Sequence, residues 1–166
     1  MKISPRSAPL RYAVTAILAI ASVLAITAHA QEAASNPWAP AEVTQPSQLA
    51  AMLSSHTGAK PVILQVGFQV LYRSKHIPSS VYAGPASTPD GLQALKQAAG
   101  KLPRNADIYI YCGCCPIQKC PNIRPAFQAL KAMGFTRFHV LMLPTNFGKD
   151  WVAHSYPVAG ESAPSH

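Results

Sequence analysis

The sequence predicts an α/β domain built on a central, mostly parallel sheet flanked by helices. Three observations carry that prediction. Runs of β character recur along the chain, "PVILQVG" at 61–67, "DIYIYC" at 107–112 and "FHVLML" at 138–143. Helical patterns stand between and after them, at 91–100 and 122–134, and strands that alternate with helices in this way pair in parallel. The first run is continuously apolar rather than alternating, as befits a strand covered on both faces.

Each element has a local reason. "SQLAAMLSS" (47–55) opens on Ser47, a capping residue, and places Leu49, Met52 and Leu53 on one face, which predicts a short helix. Residues 68–75 read as a second short helix, and "HIPSSVYAG" (76–84) as a turn at Pro78 followed by a brief strand at Val81–Ala83. "GLQALKQAAG" (91–100) is a helix between Asp90, read as its cap, and a closing glycine. In 122–134, Asn122 stands at the capping position, Phe127, Leu130 and Met133 form an apolar stripe, and Gly134 ends the helix. A last short helix is expected around Lys149–His154.

The N-terminus has the pattern of a secretory signal. Lys2, Arg6 and Arg11 precede an apolar run at 13–26, and "AHA" at 28–30 is a small-x-small cleavage site. The apolar run is shorter than the roughly 18–20 residues a spanning helix needs, so no stable membrane anchor is expected after cleavage. The expected organisation is a signal peptide at 1–30, an extended lead-in at 31–41, one domain at 42–158 and a disordered tail at 159–166. Such a chain works in the periplasm or is secreted. Without its three signal cations it carries eleven basic and six acidic residues, a net charge of +5. These charges are scattered, which favours small anions and argues against nucleic acid.

All four cysteines fall in "YCGCCPIQKC", from Tyr111 to Cys120. Cys112 closes the strand-like run, and a helix N-terminus follows after residues 113–121. In parallel sheets ligands bind at the carboxyl ends of strands. Converging N–H groups and the helix dipole there stabilise a thiolate, so Cys112 is expected to hold the most stabilised thiolate and to act as nucleophile. Cys114, Cys115 and Cys120 are its candidate resolving or disulfide partners. Gly113, Lys119 and Arg124 are the candidate anion or substrate loop. Cys112 and Cys115 also have the C-x-x-C spacing of a redox pair. A Cys115–Cys120 or Cys114–Cys120 bridge would staple the loop, in keeping with an oxidising compartment. The set Cys112, Cys114, Cys115 and Cys120 is also a candidate Zn²⁺ or Cu⁺ site. No cofactor is expected. Gln118, not arginine, stands six positions after Cys112, which removes the guanidinium that a phosphatase loop of this kind uses.

The layout resembles the rhodanese-like domain. "HIPSS" (76–80), "IYIYC" (108–112), "ALKAMGFTRFHVL" (129–141) and "DWVAHSYPV" (150–158) match landmarks of that family in order and spacing. The resemblance implies a single-domain sulfurtransferase fold in which Cys112 carries persulfide sulfur. Its substrates would be a small sulfur-containing anion or a thiol or persulfide donor and acceptor, with a periplasmic protein as a candidate partner. The chain departs from the pattern where many members carry Asp and Arg and it has Gln65 and Gly67, at Lys75 before the His-Ile-Pro turn, and in the cysteine-rich loop itself. A non-catalytic binding module with a stapled or metal-loaded loop is the competing class.

Overall fold

The structure is a computed structural model that describes residues 38–55 and 60–160. The expected signal peptide at 1–30 lies outside the described residues, as does 161–166 of the expected tail. In chain order the regular elements are β1 (Val43–Thr44), α1 (Pro46–Ser54), β2 (Val62–Gln65), α2 (Gln69–Ser74), β3 (Val81–Tyr82), α3 (Pro89–Gly100), β4 (Ile108–Tyr111), α4 (Ile123–Ala132), β5 (Phe138–Leu141) and α5 (Phe147–Asp150). Single 3₁₀ turns occupy Pro40–Glu42, Ile117–Lys119 and Val152–His154.

The five strands form one sheet in the order β1-β5-β4-β2-β3. Every pairing is parallel, with Gln65 opposite Tyr111, Ile110 opposite Val140, and Leu64 opposite Val81. β4 is therefore the middle strand, and all four of its residues are buried. Successive side chains of a strand point to opposite faces, and each face here has its own core. Ile108 and Ile110 join Leu95 and Ala99 of α3 and Phe127 and Leu130 of α4. Tyr109 and Tyr111 join Leu49 of α1, Ile77, Leu141 and Trp151. The alternation "IYIY" thus reports two packed faces, not one wet and one dry.

Helix ends differ from expectation in an instructive way. α1 begins one residue early, at Pro46, and its first turn is closed by Gln45 and Gln48 rather than by Ser47: the Gln45 N–H donates to Gln48 Oε1 at 2.9 Å. α3 is capped by Thr88, whose Oγ1 accepts from the Gly91 N–H at 3.1 Å, and Asp90 lies inside the first turn. Replacing such a cap by alanine costs about 1 kcal/mol. Thr88→Ala should lower stability by that amount in urea unfolding, with Asp90→Ala costing less. Asn122 stands before α4 but makes no cap bond; its side chain is used elsewhere. Of the expected closing pair, Trp151 is fully buried while His154 is exposed.

Two segments expected to be irregular are tied to the domain. Trp38, in the lead-in, is buried and packs on Phe127 with ring centroids 4.9 Å apart. Ala159, at the start of the expected tail, exchanges two 2.8 Å backbone hydrogen bonds with His76. His76 is structural, as its stacking on Tyr72 and its 2.6 Å contact from Nδ1 to the Tyr72 carbonyl indicate.

Candidate active site

Cys112 follows β4 directly, at the carboxyl end of the central strand. Gln65, the last residue of β2 and 1% exposed, stands opposite the preceding Tyr111 and reaches Cys112 through its side chain. Gln65 Nε2 donates to the Cys112 carbonyl at 3.1 Å, and its Oε1 accepts from the Gly67 N–H at 3.2 Å. One buried amide therefore fixes the backbone of both residues. Gly67 is small of necessity: a Cβ there would lie 2.7 Å from Cys112 Sγ and 2.8 Å from its carbonyl oxygen. Overpacking of this kind costs about 1–3 kcal/mol. Gly67→Ala should show that loss in chemical denaturation together with a slower reaction of Cys112 with an alkylating probe.

The chain then turns at Gly113, whose φ of 82° is in the left-handed region. A side chain there would be strained, and its Cβ would also stand 2.8 Å from Phe147 Cβ. The turn folds the next cysteine back, so Cys114 Sγ lies 3.3 Å from Cys112 Sγ. Cys115 Sγ meets Cys114 Sγ at 2.9 Å. After the 3₁₀ turn, Cys120 returns underneath, and the sulfurs of Cys112, Cys114 and Cys120 all lie within 4.8 Å of one another. None of the four cysteines is joined in a disulfide in this arrangement. Spacing suggested Cys112 and Cys115 as the pair, but it is Cys114 that the left-handed turn brings to Cys112.

Asn122 completes the surroundings of the sulfur. It is fully buried, its Oδ1 accepts from the Ser87 N–H at 2.9 Å, and its Nδ2 donates to Cys112 Sγ at 3.3 Å. The residue expected to cap α4 is thus the donor that faces Cys112.

The electrostatics reverse one expectation. The first N–H groups at the start of α4, those of Asn122 and Ile123, are directed at Cys120 rather than Cys112. The hydrogen bond from Cys112, aided by those N–H groups and opposed by burial, pulls the Cys120 thiol down to about 5. The Cys112 thiol is pushed well up, first by that same hydrogen bond to Cys120, then by burial and by repulsion from it. Burial, with the hydrogen bond to Cys114, raises Cys115 to about 12. The loop thus carries Cys120, not the strand end, to the helix terminus, and the hydrogen bond it shares with Cys112 favours negative charge on the Cys120 sulfur.

A cleft of about 640 Å³ opens over Cys112 and Cys114. Gln65, Phe68, Leu71 and Lys75 are among its walls, and Gly113 is part of its floor. Cys115 and Cys120 lie behind, with Ile117 and Leu143. Lys119 and Arg124 are exposed and do not line the cleft; the Arg124 guanidinium instead lies 5.8 Å from the Trp38 ring centroid. The cation that does line it is Lys75. Phe68, Val70 and Leu71 are exposed along the same rim, Val70 by 72%.

Gln65, Asn122 and Lys75 were not singled out as site residues by the sequence reading. Gln65 had a visible signal, being the one polar residue inside "PVILQVG". A buried polar side chain must find partners, and here those partners hold the cysteine.

The fold is that of the rhodanese-like domain. The rhodanese-like domain of an Anabaena protein, solved in solution, superposes with a TM-score of 0.55 at 22% identity, covering 75% of this chain and 86% of that one. A Bacillus halodurans protein gives 0.56 at 18% identity over 72% and 77% of the two chains. A Saccharomyces cerevisiae protein gives 0.51 at 18% identity over 70% and 94%. No protein-family model matches the sequence, and no curated protein matches it.

Proposed function

We propose that the protein transfers sulfane sulfur in the periplasm, with Cys112 as the sulfur-carrying nucleophile. The observation that supports this best is the position of Cys112 Sγ: it lines the floor of the cleft at the end of the central parallel strand, with Asn122 Nδ2 donating to it at 3.3 Å. In the loading step Cys112 passes its proton along the hydrogen bond to the Cys120 thiolate, and the resulting Cys112 thiolate attacks the outer sulfur of a donor R–S–SH. An S–S bond forms to Cys112, the donor S–S bond breaks, and R–S⁻ leaves with the bonding pair. In the second step an acceptor thiolate takes that outer sulfur and returns Cys112 as thiolate. Cys114, 3.3 Å away, is placed to attack the inner sulfur, forming a Cys112–Cys114 disulfide and releasing HS⁻ when no acceptor arrives. The export signal supports the location.

The cleft favours an organic persulfide over a small inorganic dianion. Its rim is apolar at Phe68, Val70 and Leu71, one lysine lines it, and the loop cations Lys119 and Arg124 stand outside it. Sulfur loading of the reduced protein from a peptide persulfide and from thiosulfate, read by intact mass, tests both points. The peptide donor should load one sulfur and thiosulfate far less, and Lys75→Ala should weaken thiosulfate loading without changing peptide loading. Failure of every donor would refute sulfur transfer. Preference for thiosulfate would keep the reaction and refute the donor class.

A further inference from the structure

We infer that the cysteine cluster is also a soft-metal site, in which Cys112, Cys114 and Cys120 supply three thiolate ligands to one copper(I) ion. The three sulfurs lie within 4.8 Å of one another, and the Cys112–Cys114 pair is at 3.3 Å. Three sulfurs each about 2.3 Å from a single metal stand roughly 4 Å apart, so the observed spacings bracket what one ion requires. The ligands reach that point by separate routes. Cys112 ends β4, Cys114 is folded back by the left-handed Gly113, and Cys120 follows the 3₁₀ turn Ile117–Lys119. Their convergence is a property of the folded loop and not of adjacency along the chain.

The surroundings match a bound anionic cluster. Three thiolates around a monovalent cation retain a double negative charge, and N–H donors face the sulfurs that carry it. Asn122 Nδ2 donates to Cys112 Sγ, and Asn122 is itself held by Ser87 through Oδ1. The N–H groups of Asn122 and Ile123 face Cys120 Sγ. Such outer contacts orient ligands and tune the metal. Cys112 and Cys120 are 3% and 5% exposed, which keeps water from the ion. Cys112 and Cys114 line the cleft, which gives the ion an entry path.

The donor set selects the metal. Thiolates alone suit copper(I), zinc and iron–sulfur clusters, and structural zinc takes four ligands in a tetrahedron. Among the described residues no His, Asp or Glu joins the three sulfurs, and Cys115 stands outside the converging set, its sulfur touching Cys114 at 2.9 Å and hydrogen-bonding Cys120. A three-sulfur site free of oxygen and nitrogen donors fits the softer, lower-coordinate ion.

The same sulfurs serve the sulfur transfer proposed above, so the copper-loaded protein should not load sulfur. The metal site does not depend on that reading, because its readouts are stoichiometry and spectra, not turnover. The test is anaerobic titration of the reduced protein with copper(I) against a chromogenic chelator, repeated with zinc, with X-ray absorption on the loaded parent. The expected result is one copper per chain, ultraviolet thiolate-to-copper charge-transfer absorption and three sulfur scatterers. Cys112→Ser, Cys114→Ser and Cys120→Ser should each weaken retention by more than the ~10–100-fold that loss of an outer contact costs. Cys115→Ser should bind as the parent does, and circular dichroism should show every variant folded. Failure of the parent to hold copper against the chelator, four sulfur scatterers in the loaded parent, or zinc held in preference to copper would each overturn the assignment, and all three are read on the parent, whatever the variants do.

Discussion

Cys112→Ser should abolish sulfur loading while leaving the fold in place. A hydroxyl in this position has no accessible anion at neutral pH and forms no persulfide, so the loss should be complete rather than graded. The substitution is close to isosteric, and the bond that anchors this residue, from Gln65 Nε2 to its carbonyl at 3.1 Å, belongs to the backbone. Stability should therefore change by no more than about 1 kcal/mol, the worth of an ordinary side-chain hydrogen bond. Sulfane-sulfur loading and urea unfolding on the same preparation separate the two effects. Cys115→Ser is the control, since that thiol lies behind the cleft and its loss should leave loading intact.

The second large effect is expected at Asn122. Its two ends have separate duties, one on the Ser87 N–H and one on Cys112 Sγ. A hydrogen bond to a charged group is worth about 1.5–3 kcal/mol, and each ~1.4 kcal/mol is tenfold in rate. Asn122→Leu, which removes both bonds at similar volume, should slow sulfur loading about 10- to 100-fold and destabilise the protein by about 1–3 kcal/mol. Asn122→Asp keeps an acceptor for Ser87 but sets a carboxylate against the sulfur. It should be the more stable of the two variants and load at least as slowly. Equal loading by Asn122→Asp and the parent would show that the donor to Cys112 has no catalytic role.

The two variants also mark where sequence reading succeeds and where it stops. The sheet was legible because its strands are short apolar runs separated by helical stripes, and because "IYIY" must bury both of its faces when it stands in the middle of a sheet. The strand-end position of Cys112 followed from the same pattern. Side-chain direction was not legible. An asparagine before a helix is the ordinary signature of a cap, and nothing in the order of residues says that Asn122 turns inward to Ser87 and Cys112. The order of the candidate partner cysteines in space was not legible either. C-x-x-C spacing points to Cys115, but the positive φ of Gly113 delivers Cys114 to Cys112 instead. The same loop path carries Cys120 to the first N–H groups of α4, and the hydrogen bond from Cys112, together with those groups, lowers the Cys120 thiol while raising that of Cys112. Trp38 was missed because an aromatic in a proline-rich lead-in has no periodic neighbours to announce its burial against Phe127.

Cys112, on the cleft floor, is the residue proposed to receive and pass on sulfane sulfur. Peptide mapping by mass spectrometry, after the reduced parent protein is loaded from a peptide persulfide and its free thiols are blocked, tests this role most directly. One added sulfur is expected, on Cys112, and it should disappear when an acceptor thiol is supplied. Added sulfur found on Cys115 or Cys120 with Cys112 recovered as a blocked thiol would contradict it.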